Sequence, residues 1–245
     1  MEQLKYGRDN DLLRENWIQR KLLELPEKSI ILDAGAGDQN HKKYCKHLKY
    51  VSQDIAEYDG KANNTGIQVS DYEFKDLDII SDITNIPRKN ESFDAILCSE
   101  VLEHVVNPVL AIKELSRLLK KNGRLILTAP FCSITHFAPY HYSTGFSSYW
   151  YFKTLPVYGL TVVSVETYGD YFSYLAQELH RLPSVAQKYC ENLDMSEGGK
   201  EAINATIDLL SKLGEKPNTS WELLSYGHLV IAEKIFDAKK DVEDE

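Results

Sequence analysis

The chain is short of paired cysteines, of basic charge and of long apolar runs, and each shortage excludes something. Its 245 residues hold four cysteines, Cys45, Cys98, Cys132 and Cys190, with no CxxC pair among them. That spacing excludes the usual zinc and dithiol motifs and iron–sulfur ligation. No stretch approaches the about 18 consecutive apolar residues that a membrane span needs, and the opening MEQLKYGRDNDLLRE lacks the apolar segment of a secretory signal. The expectation is a reduced, cytoplasmic protein with no membrane span. Lys and Arg number 28 against 37 Asp and Glu, a net charge of -9. A chain so balanced gains little from neutralising phosphates, so a long nucleic acid is not an expected partner.

What remains is ordinary globular composition, 43% hydrophobic and 27% charged, in a length that suits one domain with an insertion. No internal repeat or low-complexity linker breaks it. The domain is read as 1–245, with a helical cap over 1–28 and a helical insertion over 170–221 before the last strand. From Asp9 to Leu25 the apolar residues Leu12, Leu13, Trp17, Ile18, Leu22 and Leu23 recur at helical spacing, and Pro26 follows as a stop. Strand-like and helix-like runs then alternate. SIILDAG, KYVSQDI, LDII, SFDAILCS and GRLILTAP read as strands, HKKYCKHL as a short helix, and NPVLAIKELSRLLKKNG as a helix ending on Gly123. Alternation of this kind predicts an α/β fold, a parallel sheet with helices on both faces. Further on, TGFSSYWYFKTLPVYG reads as partly helical and LTVVSVETYG as a sixth strand. YFSYLAQELHRL and KEAINATIDLLSKL read as helices, GHLVIAEKIF as a last strand, and DAKKDVEDE as a charged, frayed end.

The strongest local signal is Asp33-Ala34-Gly35-Ala36-Gly37-Asp38, after a buried strand and before a helix-like run. Glycines there permit a tight turn and close approach of backbone to a ligand. In an open α/β sheet, ligands lie beyond the carboxyl ends of the strands where strand order reverses. A Gly-x-Gly alone is weak, but its partners follow in order. Asp54 ends the second strand, where a carboxylate can take both hydroxyls of a ribose. Asp82 and Ile83 follow the third, an acceptor for an adenine amino group beside an apolar wall, although Asp82 can equally cap a helix. Ser99 and Glu100 end the fourth. The rival reading is a nicotinamide oxidoreductase, because Tyr149-Trp150-Tyr151-Phe152-Lys153 matches YxxxK. Against it, Asn40 stands where GxGxxG needs glycine, and a Tyr/Lys match is common by chance among 15 tyrosines.

Taken together, DAGAGD, QDI, SDITNIP, SFDAILCSEVLEHVVNP, LLKKNGRLILTAP and HLVIAEK resemble the ordered motifs of class I S-adenosylmethionine-dependent methyltransferases, in particular the type 11 subgroup. The resemblance covers about residues 29–135 and the last two strands. It implies a Rossmann-like, seven-stranded, mostly parallel sheet whose last strand is antiparallel. It further implies S-adenosylmethionine as cofactor, with Asp33, Ala34, Gly35, Ala36 and Gly37 along its methionine part. Asp54 and Ile55 would lie at the ribose, Asp82 and Ile83 at the adenine, and Ser99 near the sulfonium.

Methyl transfer from a sulfonium releases a neutral thioether, so the leaving group needs no acid; alignment supplies most of the rate, on the order of 7–11 kcal/mol. An oxygen acceptor also needs a base or a metal. Glu100, Glu103 and His104 stand at i, i+3 and i+4, which in a helical turn share one face. Two carboxylates and an imidazole suit a divalent cation, and ExxEH is similar to metal-using O-methyltransferases. The alternative is that Glu100 only flanks the cofactor and His104 is a buried, hydrogen-bonded histidine. His136 and His141, in THFAPYHYS after the fifth strand, are further candidates for base or ligand, His141 being favoured because a helix start follows it. Arg8 in Tyr6-Gly7-Arg8 can meet a carboxylate or phosphate, or simply start a solvated helix. Tyr168, Tyr171, Tyr174, His180 and Arg181 read as a lid, a homodimer surface or core. The function expected is transfer of a methyl group to a small polar acceptor, an oxygen of a sugar, a nucleotide-linked sugar or a phosphate-type group in surface-polysaccharide or secondary metabolism. The alternative is a non-catalytic cofactor-binding protein on the same fold.

Overall fold

The computed structural model describes residues 5–60, 63–68, 74, 76–190 and 195–235; the charged tail 237–245 lies outside them. The elements in chain order are α1 (Asn10–Leu23), β1 (Ile30–Ala34), β2 (Lys49–Asp54), β3 (Ile79–Ile80), β4 (Phe93–Ser99), α2 (Pro108–Leu118), β5 (Leu119–Pro130), α3 (Ser148–Thr154), β6 (Leu160–Tyr168), α4 (Tyr171–Tyr189), α5 (Glu197–Gly214) and β7 (Gly227–Lys234). The seven strands lie in the order β3-β2-β1-β4-β5-β7-β6. β1 pairs in parallel with β2 and β4, β2 with β3, and β4 with β5, whereas β7 runs antiparallel to β5. The Rossmann-like sheet expected from the sequence is therefore observed. The chain winds outward through β1, β2 and β3, then returns to place β4 on the other side of β1. That reversal opens a crevice at the carboxyl ends of β1 and β4, the place where such sheets bind ligands.

Two compact units emerge. One comprises Asn16–Glu166 and Gly227–Glu245, the other Met1–Glu15 and Thr167–Tyr226. The first holds the sheet. Leu32, Ile96, Leu97, Ile112, Leu115, Leu125 and Leu127 are fully buried there, each removing apolar surface worth about 1.5–3 kcal/mol. α2 starts on Asn107, whose side chain accepts from the Leu110 amide, with Pro108 in the first turn. Trp17 of α1 is buried and its indole donates to Glu166 at 3.1 Å. In the second unit Ala176, Ile207 and Leu210 form a small core. Asp170 caps α4 by accepting from the Ser173 amide.

Two boundaries differ from the sequence reading. HKKYCKHL forms only a 3-10 turn over Asn40–Tyr44; Lys42, Lys43 and Lys46 are exposed and only Cys45 is buried, too few apolar contacts to hold a longer helix. α2 ends at Leu118, not at Gly123, and β5 already begins at Leu119. Leu119 pairs with Phe93 and Arg124 with Ala95, so Lys120–Gly123 bulge out of the ladder. The bulge is held by Lys120, which donates to Asp94 Oδ1 at 2.7 Å, while Asp94 Oδ2 accepts the Ile30 amide at 2.8 Å. Tertiary pairing overrides helical periodicity here, because apolar Leu119 serves a strand as well as a helix.

Candidate active site

The crevice is built from backbone first. Gly35 sits at φ +76 and Gly37 at φ +51, conformations in which a side chain is strained. A Cβ on Gly35 would collide with the Val101 methyl groups, so only glycine lets the turn pass the end of β4. The Gly35 and Ala36 amides both donate to the Gln53 carbonyl, at 2.9 and 2.8 Å, which ties the turn to β2. At the end of β2, Asp54 Oδ2 accepts the Gly37 amide at 2.9 Å and Oδ1 accepts the Ala56 amide at 2.9 Å. Burial raises the Asp54 pKa above the usual carboxylate range, and the amides of Ala56, Gly37 and Ile55 pull it back. Three amides on about four acceptor positions leave the carboxylate capacity for a further hydroxyl.

Asp33, 2% exposed, is held from below. Tyr50 donates to its Oδ2 at 2.6 Å and His41 Nδ1 lies 3.8 Å from the same oxygen. Burial, then the Asp33 charge, raises the Tyr50 pKa, so the phenol stays a donor. Buried Cys45 is likewise pushed up, to about 12, by burial and then by Asp33. Neither Tyr50 nor His41 was among the sequence candidates. Tyr50 is brought there by the pairing of β2 with β1 and His41 by the 3-10 turn before β2, neither of which the sequence alone supplies. Ala34 and Ala36 are buried in the same turn, and Ile55 stands exposed just past Asp54. Asp82 Oδ1 accepts the Thr84 amide at 2.7 Å and the Thr84 hydroxyl at 2.8 Å, an Asx turn, and no helix follows it before β4 for it to cap. Ile83 is buried with the core of the sheet unit.

The end of β4 carries a hydrogen-bond chain. The Thr128 hydroxyl donates to Glu100 Oε1 at 2.9 Å, and Ser99 Oγ lies 2.9 Å from Thr128 Oγ1. Since the carboxylate only accepts, the Thr128 proton points to Glu100 and Ser99 donates to Thr128. Glu100 itself has φ +54, a left-handed conformation uncommon outside glycine and of the kind that gathers at functional sites.

The helical face expected for Glu100, Glu103 and His104 is corrected. Leu102–His104 form only a three-residue 3-10 turn, and Glu100 precedes it. Glu100 faces Thr128, while Glu103 faces the histidines. The loop after β5 causes this split, because the Tyr142 and Ser143 amides both donate to the Glu103 carbonyl, at 2.9 and 3.1 Å. That loop brings His136 and His141 to His104, with ring centroids 4.7 Å apart for His104–His136, 4.8 Å for His136–His141 and 6.1 Å for His104–His141. A segment unforeseen from sequence supports it: Ile67 bridges to His136, the Ile67 amide donates to Thr135, and the Phe137 amide donates to Ile67. His104 Nε2 lies 3.8 Å and His136 Nε2 4.0 Å from Glu103 Oε1. Burial, then His136, lowers the His104 pKa to about 4; the Tyr140 carbonyl opposes this and His141 adds to it. His141 is lowered as well, by burial and then His136.

The remaining candidates lie elsewhere. Tyr149 is 80% exposed on α3, so the YxxxK pattern builds no site. In the helical unit Arg8 Nε donates to His180 Nδ1 at 3.2 Å, and His180 Nε2 meets the Tyr6 carbonyl at 2.9 Å. Tyr168 and Tyr174 are buried, and Arg181 pairs with Glu178. Among the described residues no helix is long and apolar enough to cross a membrane.

Residues 32–127 match the family model described as a methyltransferase domain. Demethylmenaquinone methyltransferase from Mycobacterium sp. (strain KMS) is 32% identical over 108 residues, 44% of this chain and 44% of that protein. Ubiquinone biosynthesis O-methyltransferase from Xanthomonas oryzae pv. oryzae is 51% identical over 37 residues, 15% of this chain and 16% of that protein. The matched stretches span less than half the length of these relatives. Among solved structures, a SAM-dependent methyltransferase from Archaeoglobus fulgidus superposes with a TM-score of 0.53 at 16% identity, covering 92% of this chain and 94% of the other, a likeness of fold alone. Residues 32–127 are thus similar to a methyltransferase domain, and the strand order is that of a Rossmann-like methyltransferase fold.

Proposed function

We propose that the protein transfers a methyl group from S-adenosylmethionine to an oxygen of a small polar acceptor. The observation that carries this reading is the turn at Gly35–Gly37, tied by hydrogen bonds to the Asp54 carboxylate at the reversal point of the sheet. The residues present fit the cofactor: a glycine turn with no room for a side chain, and a carboxylate with acceptor capacity to spare where a ribose hydroxyl belongs. Asp33 would hold the amino-acid part, with Ala34, Ala36 and Gly37 alongside. Asp54 and Ile55 would hold the ribose, Asp82 and Ile83 the base, and Ser99 would border the sulfonium. When bound, the cofactor supplies an electrophilic methyl group whose leaving group is a neutral thioether.

The chain's own contribution is orientation and proton handling. The Ser133 hydroxyl donates to the Thr144 carbonyl at 3.0 Å and lies 3.2 Å from His141 Nε2. The carbonyl can only accept, so Ser133 spends its single proton there and His141 must donate through Nε2. Nδ1 of His141 then carries the lone pair and is the base for an acceptor hydroxyl. Glu100, held by Thr128, lines the same edge. A floor of histidines and serine favours a polar acceptor, a sugar or nucleotide-linked sugar, over an apolar one. The experiment is a measurement of S-adenosylhomocysteine release by the purified full chain against sugars, nucleotide sugars, phosphorylated sugars, quinols and amines. Turnover with a hydroxyl donor that drops on His141→Ala supports the reading. Cofactor binding with no turnover on any class points instead to a non-catalytic binding protein.

A further inference from the structure

The connection from β2 to β3 is unusual for a parallel crossover. It runs from Asp54 to Ile79, a length that such crossovers usually spend on a helix, yet none of its described residues is helical. Its first residues stand on the cofactor side of the crevice. The Ile55 and Ala56 amides both bond to the Asp54 carboxylate, Ala56 at 2.9 Å. Four residues after Asp54, Tyr58 is 8% exposed, with its ring edge-on to Phe137 at 4.6 Å. Phe137 in turn lies 5.2 Å from the ring of His104, in the turn after β4.

That path has a consequence set by strand order. β1 lies between β2 and β4, so the two anchors are separated by two strand spacings, about 9–10 Å. Four residues reach about 13–14 Å when fully extended. The chain therefore crosses the carboxyl end of β1, beside the glycine turn, between Asp54 and Tyr58. The same connection then fastens to the histidine loop. The Ile67 amide donates to the Thr135 carbonyl at 2.9 Å and the Phe137 amide donates to the Ile67 carbonyl at 3.0 Å. Gly66 has φ +68, and the place of its missing Cβ is filled by the Thr135 carbonyl, so a side chain there cannot approach so closely. The Tyr58 hydroxyl donates to Gln68 Oε1 at 2.8 Å, and Gln68 Nε2 donates to the Thr65 carbonyl at 2.6 Å and the Ala138 carbonyl at 3.4 Å. Gln68 thus ties Tyr58, Thr65 and the histidine loop together.

We propose that residues 55–60 and 63–68 act as a strap that sets the histidine loop in response to a ligand on Asp54, with Tyr58, Gly66 and Gln68 as positioning residues. A ribose hydroxyl on Asp54 meets the same carboxylate that holds Ala56, where the strap begins. The strap carries that order to residues 135–138 through one backbone bridge and the contacts of Tyr58 and Gln68. Coupling of this kind is reciprocal: the factor by which the ligand favours the seated loop is the factor by which the seated loop favours the ligand. The response to cofactor rests on the methyl-transfer reading, and there it makes the cofactor bind before the acceptor. The hold of the strap on the loop does not rest on it.

The test is amide hydrogen exchange of the full chain, read by mass spectrometry with and without S-adenosylhomocysteine, for the wild type, Gly66→Ala and Gln68→Ala. Without ligand, exchange in residues 135–138 is expected to be about threefold or more faster in both variants, the size of one lost hydrogen bond. Unchanged exchange in β4 and β5 shows that the sheet is intact; if Gly66→Ala does not fold, Gln68→Ala at the half-buried rim carries the test. With ligand, the wild type is expected to slow in residues 33–38, 55–60 and 135–138 together. In the variants the first two segments still slow and the third does not, a dependence that a merely structural contact would not produce. Equal exchange of residues 135–138 in wild type and variants overturns the strap. Slowing of residues 33–38 without 135–138 in the wild type overturns the coupling and leaves cofactor binding standing. Slowing nowhere overturns the cofactor reading and with it the response to ligand, and the ligand-free comparison then decides whether the strap holds the loop.

Discussion

The amide of Gly37 donates to Asp54 Oδ2 at 2.9 Å across 17 residues of chain, joining the glycine turn to the end of the neighbouring strand. One contact thus sets the shape of the turn and the aim of the carboxylate together. Asp54→Ala removes this acceptor and the one used by Ala56 and, on the proposed reading, the carboxylate that would meet the ribose. Hydrogen bonds to charged groups contribute about 1.5–3 kcal/mol each, so S-adenosylhomocysteine affinity is expected to fall at least tenfold by calorimetry. An unchanged affinity removes Asp54 from the site.

Gly35 gives a second, separable expectation. Gly35→Ala meets a left-handed backbone that costs a side chain about 1–2 kcal/mol and a collision with Val101 costing about 1–3 kcal/mol. Urea unfolding should show the sum. In the double variant with Val101→Ala the collision is relieved and the backbone cost remains, a non-additivity the cycle reads directly.

His141→Ala is expected to lower kcat for a hydroxyl acceptor by about 10²–10⁴-fold with S-adenosylhomocysteine affinity preserved. Parallel loss of both would make His141 a structural support of the crevice, not a base.

His228 of β7 is buried between the rings of Phe131 and Tyr151, at centroid distances of 5.7 and 5.8 Å. Burial lowers its pKa from 6.5 to about 4. Between those values the unfolded chain binds a proton that the native chain refuses, so stability rises with pH there. As pH falls from about 6.5 toward 4, this histidine withdraws stability, at most about 3 kcal/mol. Chemical denaturation across that window should show the slope, and His228→Phe should flatten it. An identical slope in the variant assigns the effect elsewhere.

Glu114 of α2 is 8% exposed. Its Oε1 accepts the Ile86 amide at 2.8 Å and Arg117 Nη2 at 2.6 Å, and its Oε2 accepts Arg117 Nε at 2.7 Å. Glu114→Ala strands a buried amide and part of a guanidinium, so a loss of about 2–4 kcal/mol is expected in thermal or urea unfolding. Glu114→Gln, which keeps an acceptor for Ile86, should cost less.

The sequence by itself determined the layers and their order. Alternating apolar runs of two periods sufficed for the sheet and most helices, and the glycines at 35 and 37 with Asp54 marked the crevice, because backbone conformation and strand ends leave local traces. Tertiary structure alone decided where α2 yields to β5, since Leu119 satisfies either pattern and only pairing with Phe93 chooses between them. It alone set Tyr50 under Asp33. It also separated Glu100 from Glu103 and carried His136, more than thirty residues along the chain, to the carboxylate of Glu103. Proximity of that kind depends on how a loop closes over a turn, and closure is fixed by long-range hydrogen bonds that no local spacing encodes.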